Sequence, residues 1–369
     1  MASAQPPPAL NIPDSDSTVE VSIIDTTAHV TLPAAHFMQP PMPGHETLSA
    51  CCYSFLIKHR NPSAQSKYDT LVFDLGVRKD WAANAPSSVR EQLKAPHVSV
   101  TVDKDVSTIL QENGQALDKI GGIVWSHWHF DHTGDTSAFP PSTDLIVGPG
   151  FKSSFVPSYP TVADSPVDER LWAGRDLVEI SFGDPQSKNF QLGRFRAHDF
   201  YGDGSFYLLD TPGHAVGHLC ALARTRANPP TFMFLGGDIA HHGGEFRPTP
   251  YLPLPASISP NPLQAPFAKP TSACPGEIFQ AIHPNKRMTE PFYKPEGAVH
   301  ASAEEAKHSI DKMTEFDAHD DIFPVIAHDE SLYDIVDLYP KKANDWKAKG
   351  WQEEGRWRFL KSFDVGAAK

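Results

Sequence analysis

The sequence predicts a fold of the α/β class, in which strands and helices alternate along the chain. Short apolar runs bounded by glycine, proline and polar residues are typical of buried strands. Between some of these runs lie segments with helical spacing, and Ser302 followed by Glu305 has the spacing of a helix-capping box. With 369 residues and 40% hydrophobic content, the chain can bury a large layered core. We therefore expect one large domain over residues 18–369, preceded by a flexible tail over 1–17.

Nine strands and three helices account for the clearest patterns. The strands are predicted at 19–24, 48–57, 70–75, 122–125, 144–147, 206–209, 219–223, 232–235 and 323–327. The helices are predicted at 88–93, 106–113 and 303–316. Such alternation favours sheets covered by helices.

A proline-rich insertion at about 247–295 interrupts this pattern. About a dozen prolines prevent regular structure there, and the segment lies between two of the motifs described below. It is expected either to cover a substrate pocket or to form a rigid wrap or an oligomer contact. The apolar side chains that could line such a pocket are Phe246, Tyr251, Leu252, Leu254 and Phe267, with the loop 36–44 as a further candidate wall.

Three histidines and an aspartate occur within six positions directly after the apolar run 120–125. Neutral imidazole and carboxylate suit a borderline metal such as zinc, and alternate followed by adjacent ligands can face two ions from one loop. The alternative is a solvated polar loop, but such loops seldom gather so many strong ligands at one strand end. The sequence therefore predicts a metal site that includes His127, His129, Asp131 and His132.

Three later positions have similar features. A Thr-Pro-Gly turn ends one predicted strand and presents His214, while Asp238 and His328 each follow an apolar strand. A single histidine or aspartate after a strand is more often a surface or core residue than a ligand. Together with the first loop, the three positions predict a larger constellation.

The spacing His-x-His-x-Asp-His, followed by Thr-Pro-Gly-His, resembles the signature of the metallo-β-lactamase superfamily. The resemblance covers about residues 18–335 and is nearest to the lactonase-like branch, including fungal members. It implies a four-layer αβ/βα sandwich with two metals at one edge. One metal would be held by His127, His129 and His214, and the other by Asp131, His132 and His328, with Asp238 between them. Asp74, in the Phe-Asp-Leu-Gly motif after the third strand, is implied to orient the metal-site histidines.

The resemblance further implies a hydrolase with two Zn²⁺ ions per chain, with Mn²⁺, Fe²⁺ or Co²⁺ as alternative metals. A metal-bridging hydroxide would attack a carbonyl carbon, and a lactone is the first substrate predicted. A lactam or cyclic carbamate is the nearest alternative and a thioester the third, while a metal-binding scaffold without activity is the alternative outside the enzymes. The predicted catalytic residues are Asp131, Asp238 and His241.

His241 marks a departure from the bacterial lactonases, which carry a tyrosine three positions after the bridging aspartate. An imidazole there could donate to an oxyanion or protonate a leaving group. The other interpretation is a histidine that supports its neighbours or faces solvent.

Composition limits the classes of molecule that the protein is expected to bind. The net charge of −13 opposes binding to a phosphate backbone, so we expect a small-molecule substrate and no nucleic acid. No run is long and apolar enough to span a membrane, and the first residues lack a secretory signal pattern. Four cysteines, including the adjacent Cys51 and Cys52, are expected to be buried thiols, which suits the cytoplasm. The oligomeric state stays open, a homodimer being one option.

Overall fold

Two large β-sheets form the centre of the protein. The computed structural model describes residues 4–59, 66–183, 189–263 and 273–368. Its strands are β1 (Val19–Pro33), β2 (Thr47–His59), β3 (Thr70–Phe73), β4 (Ser99–Val102), β5 (Gly122–Val124), β6 (Asp144–Val147), β7 (Leu177–Glu179), β8 (Asn189–Leu192), β9 (Phe195–Asp199), β10 (Phe206–Asp210), β11 (Leu219–Arg226), β12 (Thr231–Leu235), β13 (Ser257–Ile258), β14 (Cys274–Pro275) and β15 (Ile322–Val325). Its α-helices are α1 (Trp81–Asn84), α2 (Ser87–Gln92), α3 (Val106–Glu112), α4 (Phe130–Thr133), α5 (Phe151–Phe155), α6 (Gly276–Ile282), α7 (Ala303–Asp317) and α8 (Trp351–Gly355).

The first sheet has seven strands in the order β4-β1-β2-β3-β5-β6-β7. Strands β3, β5, β6 and β7 run parallel, so their carboxyl ends meet at one edge. The second sheet has six strands in the order β15-β12-β11-β10-β9-β8, of which only β12 and β15 pair in parallel. Loops that follow parallel strands can converge at the shared edge of a sheet, and this is where the candidate site lies.

The main core lies between the two sheets. Buried side chains of the first sheet, such as Phe55 and Phe73, pack in one cluster with Leu208 and Met233 of the second. The outer face of the first sheet packs against α3, and the outer face of the second packs against α7 through residues such as Phe316. The order of layers is therefore helix, sheet, sheet, helix, and the predicted α/β sandwich is confirmed.

Helix α7 is long because its sequence fits one buried face. Its apolar residues Ile310, Met313 and Phe316 recur at helical spacing and are fully buried against the second sheet. The Ser302 hydroxyl accepts a hydrogen bond from the Glu305 N–H, so the Ser302 half of the predicted capping box is present.

The predicted elements differ from the observed ones mainly in extent. Strand β1 continues to Pro33 instead of ending at residue 24, past an irregularity between Asp25 and His29. The second half of β1 was not predicted because it contains polar residues, which lie on the more exposed face of the strand. The short strands β4, β7, β8 and β9 were not predicted either, because they lack the continuous apolar run that marks equally short buried strands such as β5 and β6.

The segment before β1 is attached to the domain. Leu10 is buried in the cluster under α7, its carbonyl accepts a bond from the Gly193 N–H, and the Pro13 carbonyl accepts one from Arg224. The expectation of a flexible tail over 1–17 did not anticipate these contacts, which depend on residues distant in sequence. Residues 1–3 lie outside the described chain.

The described part of the proline-rich insertion forms the short β13–β14 ribbon and α6. Leu254, Phe279 and Phe292 pack with Phe359 and Phe363 from the C-terminal segment. Arg247, at the start of the insertion, is buried and forms a bidentate ion pair with Asp317 at the end of α7. The four cysteines are buried and free, and no helix among the described residues has the length and apolar character needed to cross a bilayer.

Candidate metal centre

The candidate ligands lie on loops that leave both sheets at the same edge. The loop after β5, including the short helix α4, carries four of them, and the turn after β10 carries His214. Asp238 follows β12 and His328 follows β15, the two parallel strands of the second sheet. Four separate parts of the sequence thereby contribute seven neighbouring residues: His127, His129, Asp131, His132, His214, Asp238 and His328.

The first group comprises His127, His129, His214 and Asp238. One ligand atom of each lies within 4.8 Å of the others. The His214 Nε2 atom is 2.9 Å from His129 Nδ1 and 3.4 Å from Asp238 Oδ2. Three imidazole nitrogens and one carboxylate oxygen form the donor set of many zinc sites.

The second group surrounds the other oxygen of the same aspartate. Asp238 Oδ1 is 3.0 Å from His132 Nε2 and 3.1 Å from His328 Nε2. Asp131 Oδ2 lies 3.5 Å from His328 Nε2 and 4.0 Å from His132 Nε2. Asp238 thus belongs to both groups: His132 contacts its Oδ1 and His214 its Oδ2, while His328 contacts both, with 3.2 Å between its Nε2 and Oδ2.

The unpaired polar atoms of this cluster fit divalent cations. His127 Nε2, His132 Nε2 and Asp238 Oδ1 are buried and make no well-aligned hydrogen bond among the described residues, although His132 Nε2 and Asp238 Oδ1 lie only 3.0 Å apart. A buried polar atom without a partner costs about 1–3 kcal/mol, and several in one cluster indicate that a group absent from the chain itself satisfies them. Because all of these atoms are Lewis bases, a cation is the group that fits.

The protonation states of the first group agree with this fit. Burial lowers the pKa of His127 and His214 well below its usual range and that of His129 to about 4, so these imidazoles stay neutral. Burial alone would raise the pKa of Asp238, but His132 and His328 hold it well below its usual range. Neutral imidazole and ionised carboxylate are the forms that bind metal. In the second group burial lowers the pKa of His132 and His328, but the charge of Asp238 outweighs it and raises both well above the usual range, so a cation bound there would displace these protons.

Asp74, at the end of β3, holds the ligand-bearing loop in place. Its carboxylate accepts bonds from His132 Nδ1 at 2.8 Å, from the Ser126 N–H at 2.6 Å and from the Ser126 hydroxyl at 2.7 Å. The bond to Nδ1 directs the opposite nitrogen of His132, Nε2, toward Asp238. The location of Asp74 matches the orienting role that the resemblance implied.

Two further residues fix the other ligands. The His218 Nε2 atom accepts a bond from the Asp238 N–H at 3.0 Å, while its Nδ1 is 2.8 Å from the Thr211 hydroxyl. His328 donates from Nδ1 to the Cys51 carbonyl at 2.7 Å, which leaves its Nε2 directed at the two aspartates. The second contact joins a residue of the second sheet to a strand of the first.

His241 is completely buried beside the cluster. Its Nε2 lies 3.3 Å from Asp238 Oδ2 and its Nδ1 lies 3.7 Å from Glu245 Oε2. Glu245 is also buried, and its Oε2 accepts bonds from the backbone N–H groups of His241 and His242. The interpretation of His241 as a solvent-facing residue is therefore wrong, whereas its catalytic role remains a proposal. Sequence reasoning missed Glu245, although its position four residues after His241 was a usable signal.

A cavity of about 500 Å³ opens onto the cluster at His129, Asp131 and Asp238. Among the described residues that line it there is no lysine or arginine. Its apolar walls are formed mainly by Leu32, Phe37, Leu93, Trp128, Phe130 and Val299. A second cavity of about 660 Å³ reaches His241 and His328 from another side and is lined by polar residues such as His45 and Lys361.

The residues expected to wall a pocket have different locations. Phe246 and Leu254 are buried in core clusters, and neither Tyr251 nor Leu252 lines the two cavities that reach the cluster in the described structure. Phe267 lies outside the described residues. The loop 36–44 does contribute, because His36 and Phe37 line the apolar cavity.

Comparison with known proteins places the chain among hydrolases. No family model matches it. A gamma-lactamase of Fusarium pseudograminearum is 54% identical over 366 residues, covering 98% of this chain and 87% of that protein. A metallo-hydrolase of Annulohypoxylon moriforme is 44% identical over 97% of this chain and 91% of its own length.

The fold is also found among solved structures. An N-acyl homoserine lactone hydrolase, with N-hexanoyl-L-homoserine bound at its catalytic metal center, has a TM-score of 0.54. The match covers 89% of this chain and all of the other, at 14% identity. With the sandwich fold, the clustered ligands and these relatives, the chain belongs to the metal-dependent hydrolases of the metallo-β-lactamase superfamily.

Proposed function

We propose that the protein is a dinuclear zinc hydrolase that opens a cyclic acyl ring, with a lactam preferred over the corresponding lactone. The observation that carries the dinuclear assignment is Asp238, whose carboxylate belongs to both ligand groups, with His132 at Oδ1 and His214 at Oδ2. His127, His129 and His214 would hold one ion and Asp131, His132 and His328 the other. Bound in this way, two divalent ions supply a Lewis acid for a carbonyl oxygen and a hydroxide nucleophile at neutral pH.

The residues of the chain define where the ring binds. The apolar cavity ends at Asp131 and Asp238, so a ring that fills it presents its carbonyl to the ligand cluster. Aromatic and aliphatic walls without a cationic side chain favour an uncharged substrate with an apolar body. A carboxylate on the substrate would be desolvated there without a partner, which is costly.

His241 supports the preference for a lactam. A departing amide nitrogen must gain a proton, whereas a departing alkoxide needs one less, so a donor near the ring matters more for a lactam. The His241 imidazole lies against Asp238 and contacts the ring of Phe37, a wall of the apolar cavity, at a centroid distance of 4.5 Å. The sequence alone favoured the lactone, but the gamma-lactamase name of the 54% identical relative supports the lactam.

Metal content and ring hydrolysis, measured on one preparation, test this proposal. We expect about two zinc ions per chain, turnover of uncharged γ-lactams, loss of turnover with a chelator and recovery with zinc. Matched lactams and lactones with the same apolar substituent would give the ring preference as a ratio of kcat/KM. Protein that binds zinc but cleaves only thioesters would overturn the ring-opening assignment, and protein that binds no metal would favour the scaffold alternative.

The role of His241 has a separate test. His241→Gln should lower kcat for a lactam by about 10²-fold and lower kcat for the matched lactone less, because only the amide needs the donated proton. The zinc content of the variant should equal that of the wild type, while Asp238→Ala should lose both metal and activity. An equal loss on both rings, or a change confined to KM, would contradict His241 as the donor.

A further inference from the structure

A thiol lies beside the ligands of the second group. The Cys52 sulfur, one carboxylate oxygen of Asp131 and one ring nitrogen of His328 all lie within 4.8 Å of one another. Cys52 is buried, and its sulfur is 4.0 Å from His328 Nδ1. From the sequence alone, Cys52 was expected to be a buried thiol and was not assigned as a ligand.

The alternation of side chains along β2 explains this location. Successive residues of a strand point to opposite faces. Cys51 belongs to the core between the two sheets, and Cys52 belongs to the other face, beside the ligand loop. Two adjacent cysteines therefore have different surroundings, and only Cys52 approaches the acidic ligands.

A second observation points to a cation at the same place. His132 Nε2 is buried, has no hydrogen-bond partner among the described residues and lies 4.0 Å from Asp131 Oδ2. Asp238 Oδ1, also buried, is 3.0 Å from the same nitrogen but is not aligned with it as a hydrogen bond. The thiol is thus next to a position where unsatisfied ligand atoms already converge.

We propose that Cys52 is a ligand of the metal held by Asp131 and His328, which makes this position selective for thiophilic ions. The inference rests on the proposed dinuclear function. A sulfur donor favours zinc, cobalt or cadmium over manganese, which prefers oxygen donors. The His127, His129 and His214 group has no sulfur, so the two positions should differ in metal preference.

Cobalt loading under anaerobic, reducing conditions tests the proposal, because a cobalt–thiolate bond gives a charge-transfer band in the near ultraviolet. The wild type should bind two Co²⁺ ions and show this band. Cys52→Ser should lose the band, and Cys51→Ser, the matched neighbour on the same strand, should keep it. Competition of Cd²⁺ with Mn²⁺ should favour Cd²⁺ less strongly in Cys52→Ser than in the wild type.

A band that persists in Cys52→Ser, or two bound cobalt ions without a band in the wild type, would overturn the Cys52 assignment alone. Failure of the wild type to bind any cobalt or zinc would overturn the dinuclear function as well. If Cys52→Ser and Cys52→Ala both fail to fold, a variant with Cys51, Cys220 and Cys274 replaced by serine leaves Cys52 as the sole thiol. That variant must still show the band.

Discussion

Asp74 belongs to neither ligand group, yet it determines how one ligand is presented. Its φ of 61° places it in the left-handed region, where aspartate is tolerated better than most residues. This backbone turn directs one carboxylate at both Ser126 and His132. At the scale of single residues, the centre therefore depends on hydrogen bonds that hold imidazoles by the nitrogen opposite the ligand atom.

Replacing this carboxylate should weaken metal binding without unfolding the protein. In Asp74→Asn the amide can serve Ser126 or His132 but loses the charge that orients the imidazole, and we expect a loss of about 10- to 100-fold in zinc affinity. Competition with a chromophoric chelator measures this loss. Asp80→Asn, an exposed aspartate of a neighbouring loop, is the control. Equal zinc affinity in the two variants would refute the orienting role.

Among the residues of the centre, those found from the sequence share a local signal. The seven candidate ligands lie in motifs that follow apolar strands, so they could be identified from the sequence pattern alone. Cys52 and Glu245 were not identified from the sequence, because their importance arises from contacts with other residues of the site. Contacts of this kind are set by packing and not by the local pattern.

At the scale of elements, the start of α7 clamps the turn that carries His214. The Ala301 N–H donates to the His214 carbonyl and the Ser302 N–H donates to the Gly213 carbonyl. Gly213 has a φ of +128°, and a Cβ there would lie 2.0 Å from the Ala306 nitrogen. The turn and the helix approach each other so closely that no larger residue fits.

Gly213→Ala should therefore destabilise the protein by about 1–3 kcal/mol and displace His214, since backbone strain and the clash with α7 act together. Thermal unfolding and zinc titration measure the two effects. Gly174→Ala separates them, because Gly174 has a φ of +76° with open space around its missing Cβ. That control should cost stability without lowering zinc affinity. A Gly213→Ala variant with normal zinc binding would show that the clamp does not position His214.

The other end of α7 is held by a buried charge. Asp317→Asn leaves the Arg247 guanidinium in the interior with a neutral partner, and we expect a loss of about 3–5 kcal/mol in the free energy of unfolding. Asp311→Asn breaks an exposed pair with Lys307 on the same helix and should cost less than about 1 kcal/mol. Denaturant unfolding of both variants checks this. Similar small losses would mean that the buried pair does not anchor the insertion.

The elements predicted with the right type are those with a clear apolar pattern, either a continuous apolar run, as in the central strands, or a helical repeat, as in α7. The spacing of Ile310, Met313 and Phe316 specifies one buried face of α7 over about two turns, and its cap marks the start. Strands β8 and β9 have no comparable pattern in the sequence, because they form by hydrogen bonding to neighbouring strands of the sheet. The extension of β1 to Pro33 was missed for the same reason, since β2 and β4 supply the hydrogen bonds.

At the scale of the whole molecule, buried neutral histidines make stability depend on pH. Burial lowers the pKa of His45 from 6.5 to about 4, and its Nδ1 lies 2.7 Å from the Tyr293 hydroxyl. Above pH 6.5 this imidazole is neutral in both the folded and the unfolded chain. As the pH falls from 6.5 to 4, the unfolded chain binds a proton that the folded chain does not, so stability decreases.

The metal-free protein should lose up to about 3 kcal/mol of unfolding free energy through His45 across this interval. His45→Gln should show a shallower dependence on pH in denaturant unfolding. Tyr293→Phe removes the hydrogen bond but keeps the imidazole, so it should retain the wild-type dependence. An unchanged slope in His45→Gln would show that this histidine does not contribute.

Each ligand group takes atoms from both sheets. His127 and His129 leave the first sheet while His214 and Asp238 leave the second, and Asp131 and His132 face His328 in the same manner. An ion bound in either group would act as a cross-link between the two halves of the sandwich. Such a link exists only in the folded state. An ion whose free concentration is 100 times its dissociation constant adds about 2.7 kcal/mol to the free energy of unfolding. The concentration of available metal would then affect the stability of the folded protein as well as its activity.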